Sequence, residues 1–325
     1  MENLIYKFMQ QMEEAMILAE NSKIQNFQAN KVFITGMGGS GIAGKFSAEI
    51  MQKYGNIPVF VSNTYDIPSW IDEQTLCLVS SYSGNTEETL SCFEKLLNTN
   101  AKIIAITSGG KLLQEAKRLN IENLVVPGDW PAPRACIGYS LIYQLFILFK
   151  LNLLNLELPR EISLSIDFLL KNCGEIQSEA KKIATLLGNK TPLIYSDQTF
   201  EPLAVRFRQQ INENSKMLAF SSVFPEMNHN EIAAWVNDYS SFSCIFIKSD
   251  LYSPQVLKRM EVSKEIMIKH TDTIIDINSK GYTFLQQLFY LIHLTDWISF
   301  YMAEQNDVDA MDISNIDFLK SRLQK

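Results

Sequence analysis

In Lys31-Val32-Phe33-Ile34-Thr35-Gly36-Met37-Gly38-Gly39-Ser40-Gly41, a largely apolar run of five residues gives way abruptly to glycine, and the class of fold follows from that junction. β-Branched and aromatic side chains in so short a run read as a buried strand, and the glycines release the chain into a tight turn. Helical spacing follows over 43–54. The pattern recurs outward from there: 57–62, then 75–80 leading into 87–98, then 102–107 leading into 112–119, then 121–127, before a long apolar helix over 138–152. Short apolar strands alternating with helices predict an α/β fold, a mainly parallel sheet flanked by helices.

The helical pattern lapses after residue 152 and Pro159 precedes a fresh helix, which predicts domains over 1–152 and 153–325. Beyond the lapse, strands are expected over 192–196, 243–248 and 273–277, and helices over 201–218, 255–269 and 282–304. A chain of 325 residues has room for two α/β halves of one architecture.

Hydrophobic residues make up 46% of the chain and charged ones 20%, the balance of a packed globular protein and not of a disordered one. A formal charge of -7 argues against nucleic acid or an anionic membrane surface as partner, since phosphate backbones demand a surplus of Lys and Arg. An anionic ligand must then be held locally. The cysteines, Cys77, Cys92, Cys136, Cys173 and Cys244, are odd in number and have no C-x-x-C spacing, so they read as buried thiols of a reducing compartment and not as disulfides or zinc ligands. Glu2, Glu13 and Glu14 do not suit a signal peptide, and Gln144, Lys150 and Asn152 interrupt the apolar stretch 141–156. A soluble, cytoplasmic protein without a membrane span is expected.

Two loops carry chemistry. Gly36-Met37-Gly38-Gly39-Ser40-Gly41 opens a helix directly after the first strand, where backbone N–H groups and the helix dipole can hold an anion. Its G-x-G-x-x-G spacing also suits a dinucleotide fold, but the second strand ends Val61-Ser62-Asn63, with no carboxylate until Asp66 to take the ribose hydroxyls. A glycine turn that merely packs helix against strand is the plainer alternative. The second loop, Ser80-Ser81-Tyr82-Ser83-Gly84-Asn85-Thr86, places four serine and threonine hydroxyls in seven residues ahead of a helix. One suffices as a cap; the density points to neutral donors converging on a phosphate. Glu87 and Glu88 would then have to face away.

These loops, with Ile106-Thr107-Ser108-Gly109-Gly110-Lys111 and Pro131-Ala132-Pro133-Arg134-Ala135-Cys136-Ile137-Gly138-Tyr139-Ser140, resemble a sugar isomerase (SIS) domain. Arg206-Phe207-Arg208-Gln209-Gln210-Ile211-Asn212-Glu213-Asn214-Ser215-Lys216 and Pro225-Glu226-Met227-Asn228-His229-Asn230-Glu231 resemble the bifunctional phosphoglucose/phosphomannose isomerase family, and the resemblance runs over nearly the whole chain. It implies two SIS-type domains and an aldose-ketose isomerase that interconverts glucose 6-phosphate and fructose 6-phosphate, with mannose 6-phosphate as a further aldose, through an enediol. Such a reaction needs one base that reaches both C1 and C2 and a group to bear the enediolate charge.

The resemblance assigns the base to Glu213, the enediolate charge to Arg134, ring opening to His229 and Lys320, and the phosphate to Gly38, Gly39, Ser40, Ser81, Ser83 and Thr86. It implies no metal and no other cofactor, and a homodimer in which His229 serves the neighbouring subunit. Taken alone, each of these residues has a bland reading: Glu213 as a solvated helix face, His229 as structural, Arg134 as an ion pair with Asp129, Lys320 as a solvated terminus. Asn212 and Asn214 are nonetheless poor choices for a helix interior. The chain departs from the family between Asp309 and Lys320, where an Asp-Pro step and a threonine linked to accepting mannose 6-phosphate are usual. It reads Asp309-Ala310-Met311-Asp312-Ile313-Ser314-Asn315, and Ser314 is the hydroxyl on offer. Two rivals stay open: a non-catalytic sugar-phosphate-binding SIS regulator, which needs no Glu213, His229 and Lys320 together, and a nucleotide-dependent oxidoreductase, against which the absent ribose acid counts.

Overall fold

The computed structural model describes residues 1–128 and 130–323. The chain divides into two units, Tyr6–Asp167 and Met1–Ile5 with Phe168–Lys325. After the short α1 (Glu2–Tyr6), the N-terminal unit runs α2 (Phe8–Glu20), β1 (Lys31–Thr35), α3 (Gly38–Tyr54), β2 (Val59–Ser62), β3 (Thr75–Ser80), α4 (Glu87–Leu96), β4 (Lys102–Thr107), α5 (Gly110–Arg118), β5 (Glu122–Val125) and α6 (Ile137–Lys150). Its five strands lie in the order β2-β1-β3-β4-β5 and every pair is parallel.

The apolar runs of β1, β3 and β4 follow from this placement, because central parallel strands are covered on both faces and cannot alternate. On one face Phe33, Cys77, Val79 and Ala105 pack against Phe93 and Leu96 of α4 and Leu112 and Ala116 of α5. On the other, α6 is buried almost all round against α2 and α3, and its one mid-helix amide, Gln144, accepts a hydrogen bond from Ser47 Oγ at 2.9 Å. Four of the cysteines are buried as expected, whereas Cys173 is only half-buried. Burial pushes the Cys77 and Cys244 thiols up to about 12.

The chain continues through α7 (Leu158–Leu187), β6 (Thr191–Asp197), α8 (Glu201–Gln210), β7 (Phe220–Phe224), β8 (Phe242–Lys248), α9 (Pro254–Met267), β9 (Ile274–Asn278), α10 (Phe284–Gln305) and α11 (Ser314–Leu323). The C-terminal sheet has the order β7-β6-β8-β9, again all parallel. The lapse at residue 152 is a turn, with Asn152 at φ 58°, and the division between units comes later, inside α7. The helix expected over 201–218 stops at Gln210; Ile211–Ser215 form a π turn, and β7 follows. Among the described residues no helix is long and apolar enough to cross a membrane.

Candidate active site

In the N-terminal sheet the chain leaves β1 toward β2 on one side and β3 toward β4 on the other, so the loops after β1 and β3 diverge at the carboxyl ends of adjacent strands, where open α/β sheets seat their ligands. The glycine loop and the hydroxyl loop occupy these two positions. They touch: a Cβ on Gly36 would stand 2.7 Å from Ser80 O. A Cβ on Gly39 would stand 3.2 Å from Pro133 O and 3.6 Å from Arg134 Cα, which brings the 3-10 turn Pro133–Ala135 against the same loop. Arg134 is only 7% exposed there; Asp129, the ion-pair partner weighed for it, lies outside the described residues. Ser40 is buried in the first turn of α3, its carbonyl accepting from Gln144 Nε2 at 3.4 Å. Asn63 stands where a dinucleotide fold has its ribose acid, and its Nδ2 donates to Gly36 O at 2.6 Å.

In the second loop, Ser81 Oγ lies 2.9 Å and Ser83 Oγ 3.5 Å from Thr86 Oγ1, and Gly84 N donates to Ser81 Oγ at 3.1 Å. Thr86 is the N-cap residue of α4, yet its hydroxyl makes no capping bond, and Met37 leaves α3 equally uncapped. Capping therefore does not account for the hydroxyl cluster, and two helix starts keep first-turn N–H groups available to an anion at one edge of the sheet. Gly84 holds φ +65°, and a Cβ there would stand 1.8 Å from Gly109 O, so only glycine fits. Glu88 and Glu87 lie toward Tyr65, whose phenol is raised by desolvation first and then by these two carboxylates.

The C-terminal unit holds the remaining predicted residues. Glu213 is half-buried on the π turn, which closes with Lys216 in the left-handed conformation, φ 57° and ψ 30°. A wide five-residue turn of this kind bulges a helix outward and is frequent where a side chain must be presented. Its scaffold is polar and buried: Asn214 Nδ2 donates to Ser299 Oγ at 2.9 Å, Ser215 Oγ to Ser299 O at 2.6 Å, and Ser299 Oγ to Asp296 O at 2.7 Å. Asp296 is in turn paired with Arg206 at 2.6 Å and accepts from Gln210 Nε2 at 3.0 Å. Lys216 Nζ donates to Glu213 O at 2.5 Å and Asp312 O at 2.8 Å, and Asn306 Nδ2 to Ser215 O at 3.0 Å.

His229 sits on the 3-10 turn Glu226–His229 after β7. Its neighbours are committed: Asn228 Nδ2 donates to Ser263 Oγ at 2.9 Å, Asn230 Nδ2 to Glu226 Oε1 at 2.8 Å, and Tyr195 OH to Glu231 Oε1 at 2.6 Å. The His229 ring is exposed, with no hydrogen bond to it among the described residues. His293 differs: it is 1% exposed, accepts from Trp297 Nε1 at 3.1 Å, and burial pushes it down to about 3. Lys320 is exposed on α11, a helix with no buried residue. An apolar cavity of about 240 Å³ beside Tyr195, Phe220, Trp235 and Tyr239 has Glu231 as its one carboxylate and does not suit a sugar phosphate. Among the described residues no group of three or more His, Cys, Asp and Glu could hold a metal ion.

The C-terminal sheet has its own divergence point between β6 and β8, and it is filled. Phe200 after β6, Tyr252 after β8 and Phe284 at the start of α10 are buried there, ring centroids 5.7 Å and 5.4 Å from Phe200. Gln287 occupies the polar groups alongside, accepting from Ser249 Oγ at 2.6 Å and Ser279 Oγ at 2.7 Å and donating to Asp250 Oδ1 at 2.6 Å. Sequence reasoning gave no role to Arg206, Gln210, Asp296 or Ser299. The signal available was Asp296 itself, an acid inside an otherwise apolar helix, which must find a cation or donors.

The family model of the SIS domain matches residues 27–146, and that of the bacterial phospho-glucose isomerase C-terminal SIS domain matches residues 176–323. A bifunctional phosphoglucose/phosphomannose isomerase of Caldicellulosiruptor bescii is 34% identical over 98% of this chain and 97% of its own length. One from Thermoplasma acidophilum is 35% identical over 90% of each chain. The solved C-terminal domain of glucosamine-fructose-6-phosphate aminotransferase from Francisella tularensis superposes with a TM-score of 0.75 at 16% identity, covering 94% of this chain and 96% of that one, a likeness of fold.

Proposed function

We propose, proceeding from the fact that this chain belongs to the bifunctional phosphoglucose/phosphomannose isomerase family, that it interconverts fructose 6-phosphate with glucose 6-phosphate and mannose 6-phosphate. The observation that carries the reading at the level of geometry is the hydroxyl loop. Ser81, Ser83 and Thr86 converge on one another and not on the helix they precede, beside the uncapped starts of α3 and α4. That is a seat for a phosphate dianion made of neutral donors and helix dipoles, suited to a protein of net charge -7. Gly38, Gly39 and Ser40 would complete it from the neighbouring loop.

In this reading Glu213 takes the proton from C1 of the open-chain ketose and returns it to C2, leaving the aldose. The hydroxyl proton passes from O1 to O2 as C1 becomes the carbonyl and C2 the carbinol, so no redox partner is required. Arg134 faces the enediolate oxygen, for which a permanently charged planar cation is well suited. His229 and Lys320 transfer the protons that open the ring. We assign His229 to a second copy of the chain, giving a homodimer, on the support that its ring is exposed while its neighbours are bonded within their own chain. The setting is carbohydrate metabolism in the cytoplasm.

The test is NMR observation of fructose 6-phosphate incubated with the protein in EDTA. Glucose 6-phosphate should form with the wild type and fall by roughly 10²- to 10⁴-fold with Glu213→Gln, the range for loss of a general base. Mannose 6-phosphate beside it shows that the segment 309–315 admits the C2 epimer without a threonine. Binding of hexose phosphate with no turnover would turn the reading to a regulator.

A further inference from the structure

We propose that Lys216 is a positioning residue for the isomerisation, its ammonium tying the turn that presents Glu213 to the segment that launches the helix of Lys320. The inference rests on the isomerase reading and deepens it. Lys216 Nζ bonds to two carbonyls at once, Glu213 O at 2.5 Å and Asp312 O at 2.8 Å. The first belongs to the residue assigned as base. The second belongs to a residue whose carboxylate organises the start of α11, since Ser314 N donates to Asp312 Oδ1 at 2.9 Å and Ser314 Oγ to Asp312 Oδ2 at 3.2 Å.

The tether matters because α11 has no buried residue. Its direction is therefore set at its first turn and not by packing along its length. Lys320 lies about 9 Å up the helix axis from Ser314, six residues at 1.5 Å each, so a small rotation at Asp312 is magnified at the ammonium. Glu213 is braced from behind by Asn214 and Ser215 through Ser299. Lys216 couples that brace to Asp312 and the start of α11. An ammonium has the donors for two carbonyls, and Lys216 can fold back onto the residue three before it because its own backbone is left-handed, φ 57°.

Lys216 is exposed, and hydrogen bonds of this kind at a wet surface contribute little to stability. Displacement of a reacting group by as little as 1 Å can cost about 10²-fold in rate. Position and stability therefore separate in experiment. Lys216→Met keeps side-chain length and is no better suited than Lys to a left-handed backbone, so it removes the ammonium, both carbonyl bonds and its charge beside Asp312, without adding backbone strain. With the full chain and fructose 6-phosphate, kcat should fall about 30-fold while KM, set by the phosphate loops, stays within about 3-fold. The melting temperature should move by less than about 2 °C, and Lys216→Arg, whose guanidinium can span both carbonyls, should recover most of kcat. Lys216→Met with kcat within about 3-fold of wild type overturns the clamp. So does Lys216→Arg as impaired as Lys216→Met, or a loss of kcat that tracks a fall in melting temperature. A wild-type chain that leaves fructose 6-phosphate unchanged overturns the isomerase reading instead, and the two failures are told apart by that control.

Discussion

Arg206 and Asp296, with side chains 2% and 7% exposed and 2.6 Å apart, take two opposite charges out of water behind the turn that carries Glu213. Such a pair contributes little net stability against an apolar substitute, but losing one member leaves an uncompensated charge. Arg206→Met should therefore destabilise the C-terminal unit by about 3–5 kcal/mol, as read by urea unfolding. Asp296→Asn keeps an oxygen to accept from Gln210 but strands the Arg206 charge, and should cost a similar amount. If both variants unfold at the wild-type midpoint, the buried pair is not what braces the turn. His293 and His229 differ at the same scale: one ring is sealed beside Trp297 and held neutral, the other is exposed.

The loops that matter are tuned by backbone geometry at single elements. Gly84 sits at φ +65° with Gly109 O where a Cβ would go, so Gly84→Ala must push the hydroxyl loop off the Gly109-Gly110 shelf. The expected result is a KM for fructose 6-phosphate raised at least about 10-fold, with the melting temperature lowered by several degrees, since the clash falls on a buried turn bonded to the start of α5. Most strands of the two sheets were legible from their apolar, β-branched runs, and the two loops proposed to seat the phosphate from glycine and serine density after them. Other elements were not. β7, Phe220–Phe224, is an edge strand with exposed Phe220 and two serines, so neither alternation nor an apolar run announces it. α11 has no core-facing stripe to read, and Phe318 and Leu319 are exposed. The π turn interrupts a helical pattern without a proline or glycine; Asn212 and Asn214 were its trace, since Asn212 Nδ2 serves Met217 O and Asn214 Nδ2 serves Ser299. The network behind Glu213 joins residues as far apart in sequence as Arg206 and Asp296, 90 positions, and Lys216 and Asp312, 96, and no local pattern encodes that.

Across the whole molecule, the buried histidine makes stability depend on acidity. His293 is pushed down to about 3 by burial, from an ordinary value of 6.5, so between those two values the unfolded chain binds a proton that the folded one refuses. Stability therefore rises with pH through that window and is flat in this respect above it, the full effect being on the order of 5 kcal/mol. His293→Gln, which keeps an acceptor for Trp297, should flatten the pH dependence of unfolding between pH 4 and 6.5 relative to wild type; identical slopes would mean that the ring is protonated in the folded state. The two sheets repeat one plan, yet Phe200, Tyr252 and Phe284 plug the second divergence point, while the first is lined by the glycine and hydroxyl loops. Architectural duplication has thus not doubled capacity: in a calorimetric titration with a hexose phosphate, saturation should come at one equivalent per polypeptide, and any oligomer should carry as many ligands as it has chains.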